Sequence, residues 1–161
     1  MEINVYGLVN DSIVDGPGLR YTIFVQGCPH ACEGCHNPES LSFSKGKIYH
    51  TDEIISQIQS NPILDGITLS GGEPFSQSEA CLDIAGQAHR LGLNVWCYSG
   101  YTFEELVKQS PDLLWEADVL VDGPFILSQR SMDLMYRGSK NQRVIDIKRT
   151  KQTGHIVIWE P

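Results

Sequence analysis

Short apolar runs recur along the chain, each closed by a polar or glycine-bearing stretch. Leu19–Val25 (LRYTIFV), Gly66–Ser70 (GITLS), Asn94–Tyr98 (NVWCY) and Asp118–Asp122 (DVLVD) are rich in β-branched and aromatic residues and read as strands. Between them the spacing changes to that of helices. Thr51 is placed to cap a helix over Asp52–Gln59. Cys81, Ile84, Ala85 and Ala88 mark the apolar face of a longer helix over Gln77–Leu91. Thr102-Phe103-Glu104-Glu105 matches a capping box and opens another. No internal repeat, low-complexity tract or linker interrupts the alternation.

Strands alternating with helices predict a parallel sheet with right-handed crossovers. The end differs: Arg143–Thr150 and His155–Trp159 flank Thr153-Gly154, which reads as a terminal hairpin. With 161 residues and 41% apolar content the chain suits one domain, residues 1–161, and is far too short for a closed eight-fold barrel. The expected fold is therefore α/β: an open, partial (βα) barrel of mainly parallel strands with a C-terminal hairpin. In such sheets chemistry gathers at the C-terminal ends of the strands. The cysteine loop, Gly71-Gly72-Glu73-Pro74, Ser99-Gly100 and Asp122-Gly123 all fall on that one edge.

Charge narrows the partners. A formal net charge of −8 repels phosphate backbones, so nucleic acid is not expected to bind. Met1–Leu8 has no cationic stretch leading into an apolar run, and no run is long enough to span a bilayer. A cytoplasmic protein without membrane attachment is expected. Its five cysteines are then not a disulfide framework, and their number is odd.

Three of the five form Cys28-Pro-His-Ala-Cys32-Glu-Gly-Cys35, a C-x3-C-x2-C loop directly after a strand. Thiolates are soft ligands suited to iron–sulfur clusters and zinc. Three of them on a tight loop could hold three corners of a cubane and leave the fourth iron open to substrate. A zinc site would need a fourth ligand, which His30 or His36 could supply, although closed zinc sites mostly pair two separate knuckles. Cys32-Glu-Gly-Cys35-His36 matches the covalent haem signature, but haem attachment belongs to exported proteins. A thioredoxin-like pair would leave Cys28 unexplained. Buried structural thiols fit poorly beside Pro29, His30, Glu33 and Gly34.

The other corners are weaker alone. Gly71 and Gly72 would let a ligand approach backbone carbonyls and N–H groups, as an ammonium group requires, but Gly-Gly-Glu-Pro also makes an ordinary turn. Asp122 could hold a ribose, an ammonium group or a cation, or act as a turn or cap. Cys81 and Cys97 fit core positions. His50 and His89 read as surface residues, and Asp15-Gly16-Pro17-Gly18 as a turn into the first strand.

Taken together, the cysteine triplet and the Gly-Gly-Glu-Pro loop resemble the radical S-adenosylmethionine superfamily. Within it, Val14-Asp-Gly-Pro-Gly-Leu-Arg20, Gln26-Gly-Cys28 and Cys35-His-Asn-Pro38 resemble activases of glycyl-radical enzymes. Tyr98-Ser-Gly-Tyr-Thr102, Val121-Asp-Gly-Pro-Phe125 and Arg137-Gly-Ser-Lys-Asn-Gln-Arg143 resemble the anaerobic ribonucleoside-triphosphate reductase activating proteins. The likeness runs from Val14 to about Asp146. The related pyruvate formate-lyase activators are longer and carry lysine where this chain has Pro124. The superfamily often has an aromatic residue before the last cysteine, where this chain has Gly34.

The resemblance implies a [4Fe–4S] cluster on Cys28, Cys32 and Cys35, and S-adenosylmethionine on the open iron. It implies that backbone groups of Gly71, Gly72 and Glu73 hold the amino group and that Gly34, Cys35 and His36 lie against the nucleoside, with Ser99 and Asp122 as further cofactor-binding candidates. A side chain at Gly72 should then block the ligand and spare the cluster. An electron from a flavodoxin-like donor would yield methionine and a 5′-deoxyadenosyl radical, which would take hydrogen from one glycine of the large subunit of an anaerobic ribonucleoside-triphosphate reductase. The alternatives are an activase of another glycyl-radical enzyme, such as pyruvate formate-lyase, and a zinc-stabilised binding module. Arg137–Arg143 reads either as a solvated loop or, through Arg137 and Arg143, as part of the reductase docking surface.

Overall fold

The computed structural model describes residues 1–161. It is α/β, with a mixed sheet of seven strands and five α-helices. The strands are β1 (Glu2–Ser12), β2 (Arg20–Val25), β3 (Lys47–His50), β4 (Gly66–Gly71), β5 (Asn94–Tyr98), β6 (Val119–Asp122) and β7 (Arg143–Asp146). The helices are α1 (Thr51–Gln59), α2 (Ser78–Arg90), α3 (Phe103–Gln109), α4 (Pro111–Glu116) and α5 (Ile147–Thr153). The order across the sheet is β3-β1-β2-β4-β5-β6-β7. The centre, β2-β4-β5-β6, is parallel, while β3 and β1 on one flank and β7 on the other run antiparallel. The sheet does not close on itself. No helix is long and apolar enough to cross a membrane.

Alternation along the strands separates the two faces. Ile23, Ile67, Leu69, Val95, Cys97 and Leu120 pack with Ile54, Ile84, Ala85, Leu106 and Leu113 in the main core, on the helix side. The other face carries Thr22, Phe24, Thr68, Ser70, Trp96, Tyr98 and Val121. Trp96, Val119, Val121 and Val144 form a second, smaller cluster there, with Tyr98, Tyr136 and Trp159 packed against it. Arg20 is wholly buried beneath this cluster. Its guanidinium donates to Thr68 Oγ1 (2.7 Å), the Ile67 carbonyl (2.6 Å) and Asn94 Oδ1 (2.6 Å), and burial lowers its pKa to about 10.

Three local readings need correction. The terminal hairpin is interrupted by α5. Asp146 accepts from Arg149 N (2.9 Å) and caps a helix four residues into the expected first arm. Gly154, at φ +78°, ends that helix. The tail then returns antiparallel to β7 through Asp146 N to Val157 O and Trp159 N to Val144 O, both 2.8 Å. Second, α1 is capped by His50, whose Nδ1 accepts from Asp52 N (3.2 Å). Thr51, now inside the helix, bonds Asp83 (2.6 Å) and ties α1 to α2.

Third, His89 is not a free surface residue. Its Nε2 meets Asp118 (2.8 Å) and its Nδ1 meets Glu116 (3.1 Å), while Lys148 holds the other Asp118 oxygen (2.7 Å). The Asp118 hydrogen bond raises the His89 pKa against the effect of burial, with Glu116 adding to it. Burial pushes Asp118 up, but His89, Lys148 and the Val95 N–H together hold it down. A raised histidine pKa gives stability that is complete below the unfolded value, about 6.5, and is lost as pH rises through the folded value. A lowered aspartate pKa gives stability that is lost only as pH falls through its own folded value. His89→Ala is therefore expected to cost about 1–2 kcal/mol near pH 5.5 and clearly less at pH 8.5, measured as denaturant midpoints. An equal loss at both values would show that the imidazole acts by packing alone.

Candidate functional site

A cavity of about 720 Å³ opens on the sheet face opposite the main core, at the C-terminal ends of β2, β4, β5 and β6. Such a volume suits a small-molecule or cofactor site. Phe24, Ser70, Tyr98 and Val121 form its floor. The loops that follow these strands form its walls, because a parallel sheet sends every such loop to the same edge.

The first wall is the cysteine loop. It leaves β2 at Gly27, whose N–H reaches Ser40 O (2.6 Å), and Cys28 N follows onto Leu41 O (3.0 Å). Cys28, Cys32 and Cys35 are partly exposed and all line the cavity. Burial raises the Cys28 pKa, and the nearby Glu73 carboxylate adds to this against a backbone hydrogen bond at His30. Cys81 and Cys97 are fully buried in the helix-side core, where burial pushes the Cys81 thiol up to about 12 and that of Cys97 well above its usual value. The structure thus divides the five cysteines between two faces of one sheet. No three His, Cys, Asp or Glu side chains converge to metal-binding distance. The loop presents its thiols along one wall rather than as a closed cage.

The second wall is the glycine loop. Gly71, at φ +96°, could not carry a side chain: a Cβ there would stand 2.5 Å from Val25 N. Gly72 N donates to Val25 O and Glu73 N to Gly27 O, both 2.8 Å, and the Glu73 carbonyl accepts from Ser76 (3.0 Å). The fold has used these groups. The Gly72 carbonyl accepts no hydrogen bond within the chain, and Gly72 lines the cavity. That is the donor-seeking group an ammonium ion needs.

Glu73 itself points inward and is wholly buried. Its carboxylate accepts from His30 Nε2 (2.6 Å), Ser99 Oγ (2.9 Å to each oxygen), Gly100 N (2.8 Å) and Phe75 N (3.1 Å). Ser99 lines the cavity, but its hydroxyl is engaged there and also accepts from Tyr101 N (3.0 Å). Asp122 lies behind the wall, 1% exposed, between cavity residues Val121 and Gly123. It accepts from Arg143 Nη2 (2.5 Å) and Nε (3.1 Å) and from Phe103 N (2.8 Å). Arg143 also reaches Glu104 (2.8 Å), and the two carboxylates raise its pKa. Arg143 is thereby committed to the fold.

The third wall is the stretch between β6 and β7. His36 stacks obliquely on Phe125, with ring centroids 5.1 Å apart. Gly34, at φ +76°, packs so closely on this stretch that a Cβ would stand 2.8 Å from Leu127 and 3.3 Å from Phe125. The polar motif over 137–143 holds the stretch in place. Gln142 Oε1 accepts from Gly138 N (2.8 Å), its Nε2 donates to Gly123 O (3.0 Å), and Asn141 donates to Pro124 O (2.8 Å). Arg137 lines the cavity and donates to Gln142 O (2.6 Å). Sequence reasoning missed Phe125, Tyr98 and Gln142 as parts of the site, and it weighed His30 only as a zinc ligand. A polar motif full of amides next to a glycine-bearing turn was the available signal for Gln142.

Comparison with known proteins follows the same division. A family model described as a 4Fe-4S single cluster domain matches residues 14–145, which include all three walls. A protein of Haemophilus influenzae is 39% identical over 81% of this chain and 89% of its own. One of Escherichia coli K12 is 36% identical over 82% and 91%, and one of phage T4 33% identical over 81% and 86%. Each is named anaerobic ribonucleoside-triphosphate reductase-activating protein. With a family model covering residues 14–145 and relatives 33–39% identical over four-fifths of its length, the chain belongs to the 4Fe–4S single-cluster domain family, alongside the anaerobic ribonucleoside-triphosphate reductase-activating proteins.

Proposed function

We propose that this protein activates an anaerobic ribonucleoside-triphosphate reductase through a [4Fe–4S] cluster and S-adenosylmethionine. The observation that carries this reading is that three soft thiols and Gly72, whose carbonyl has no partner in the chain, line one cavity. The donor set fits the cluster: Cys28, Cys32 and Cys35 would hold it and leave one iron for the ligand. A cluster bound there would supply electron transfer for reductive cleavage of S-adenosylmethionine to methionine and a 5′-deoxyadenosyl radical, which would take hydrogen from a glycine of the reductase.

The chain's own residues would orient the ligand. The Gly72 carbonyl would accept from the ammonium group. His36, backed by Phe125 and flanked by Gly34, would lie against the nucleoside. The open sheet acts as a partial barrel whose unclosed side admits a polypeptide. Its mouth suits one, since Val14 and Met132 line the cavity yet are 73% and 90% exposed. The electron would come from a flavodoxin-like donor.

The test is an electron-spin measurement. Anaerobically reconstituted protein, S-adenosylmethionine, a reductant and the reductase large subunit are expected to give a glycyl-radical signal that is absent when any one is omitted. Cluster-loaded protein that cleaves S-adenosylmethionine but radicalises only pyruvate formate-lyase would reassign the partner.

A further inference from the structure

We propose that His30 and Glu73 form a brace that sets the distance between the thiol wall and the Gly72 carbonyl, so that His30 acts as a positioning residue for S-adenosylmethionine. The proposal rests on the functional reading above. From Cys28 to His36, the only side chain that hydrogen-bonds a residue outside the loop is His30. The loop's other ties are backbone bonds at its ends and the packing of Gly34 and His36 on the stretch after β6.

Its partner is chosen for rigidity. Glu73 is wholly buried, and the same oxygen that meets His30 Nε2 at 2.6 Å also accepts from Gly100 N at 2.8 Å and Ser99 Oγ at 2.9 Å. A carboxylate can only accept, so all these groups donate and converge on one point. One imidazole thereby ties together the loops that follow β2, β4 and β5. Packing holds the ring from two further sides. Tyr101 meets it edge-on, with centroids 4.4 Å apart, and Gly100 lies so close that a Cβ there would stand 2.4 Å from the ring. Gly72 precedes Glu73, and Cys28 is two residues from His30, so the brace joins the two loops that line the cavity beside the bond from Glu73 N to Gly27 O.

The experiment compares His30→Ala with His30→Gln, whose amide N–H can still reach Glu73. Iron content follows assembly, and the change in the reduced cluster's spin signal during titration follows S-adenosylmethionine binding. Exchange of the Gly100 amide is read in metal-free protein. His30→Ala is expected to keep its iron, lose roughly tenfold or more in S-adenosylmethionine affinity, and exchange Gly100 at least about tenfold faster. His30→Gln should restore most of both. Unchanged affinity in His30→Ala would overturn the brace, as would a loss that His30→Gln fails to rescue. If His30→Ala fails to assemble a cluster, the Gly100 exchange decides: an unchanged rate overturns the proposal, and a rate restored by His30→Gln upholds it. Wild-type protein that holds a cluster but binds no S-adenosylmethionine would fail the functional reading instead, with the exchange result standing apart.

Discussion

Replacing Cys28, Cys32 or Cys35 with Ala is expected to abolish S-adenosylmethionine cleavage, whereas replacing Cys81 or Cys97 should leave iron content and cleavage close to wild type. The contrast follows from the sheet. The three loop thiols share a cavity wall, and a cluster with one open iron has no ligand to spare. Cys81 and Cys97 stand on the opposite face, sealed among Ile84, Ala85, Leu69 and Leu120. Losing either sulfur costs packing, about 1 kcal/mol in each case, without touching the cavity. Iron and sulfide per chain, and methionine released under dithionite, measure the two effects. Loss of cluster iron in a Cys97→Ala protein that still melts cooperatively would refute the assignment.

How much of this was legible in the sequence depends on the range of each signal. β4, β5, β6, α2 and the Thr102 capping box were readable because their periodicity and caps lie within a few residues. β1 was not. Its apolar alternation starts at Ile3 and Val5 and then breaks at a register shift between Val5 and Gly7, which turns the later side chains over. β3 is a four-residue edge strand, mostly exposed, and has almost no apolar pattern to show. α5 hid because Lys148–Thr153 contains no apolar residue.

The site divides the same way. Cysteine spacing is local and needs no tertiary structure. The side-chain partners of Asp122, Glu73 and His89 lie 21, 26–43 and 27–29 residues away, and no motif reports such pairs. Sequence leaves Asp122 open to a ligand role because nothing local pairs it with Arg143, which reads as part of a solvated or docking loop. Once the two are joined, the motif over 137–143 becomes a clamp for the wall that bears Phe125.

Substitution of Gly72 should have a larger effect than ligand contact alone predicts. On the sequence, Gly72→Val should block S-adenosylmethionine and spare the cluster. In the structure a Cβ at Gly72 would stand 2.3 Å from Gly27 O, 2.8 Å from Gly27 C and 3.0 Å from Ser40 O. All three are backbone atoms and cannot rotate aside. Gly27 immediately precedes Cys28, and its N–H bond to Ser40 anchors the cysteine loop. Relieving the overlap must therefore move the base of that loop. Gly72→Val is expected to lower cluster iron severalfold as well as S-adenosylmethionine affinity, and to destabilise the metal-free protein by about 1–3 kcal/mol. Gly72→Ala should show the same effects in weaker form. Gly92→Ala is the control. Its φ of +81° makes a side chain costly, about 1–2 kcal/mol, but nothing lies within 4 Å of the added carbon. That variant should lose melting temperature and keep both iron and ligand. The comparison separates backbone crowding at the site from general loss of stability. Gly72→Val protein with full iron and reduced affinity alone would show that the two loops have slack between them and that the glycine serves the ligand only.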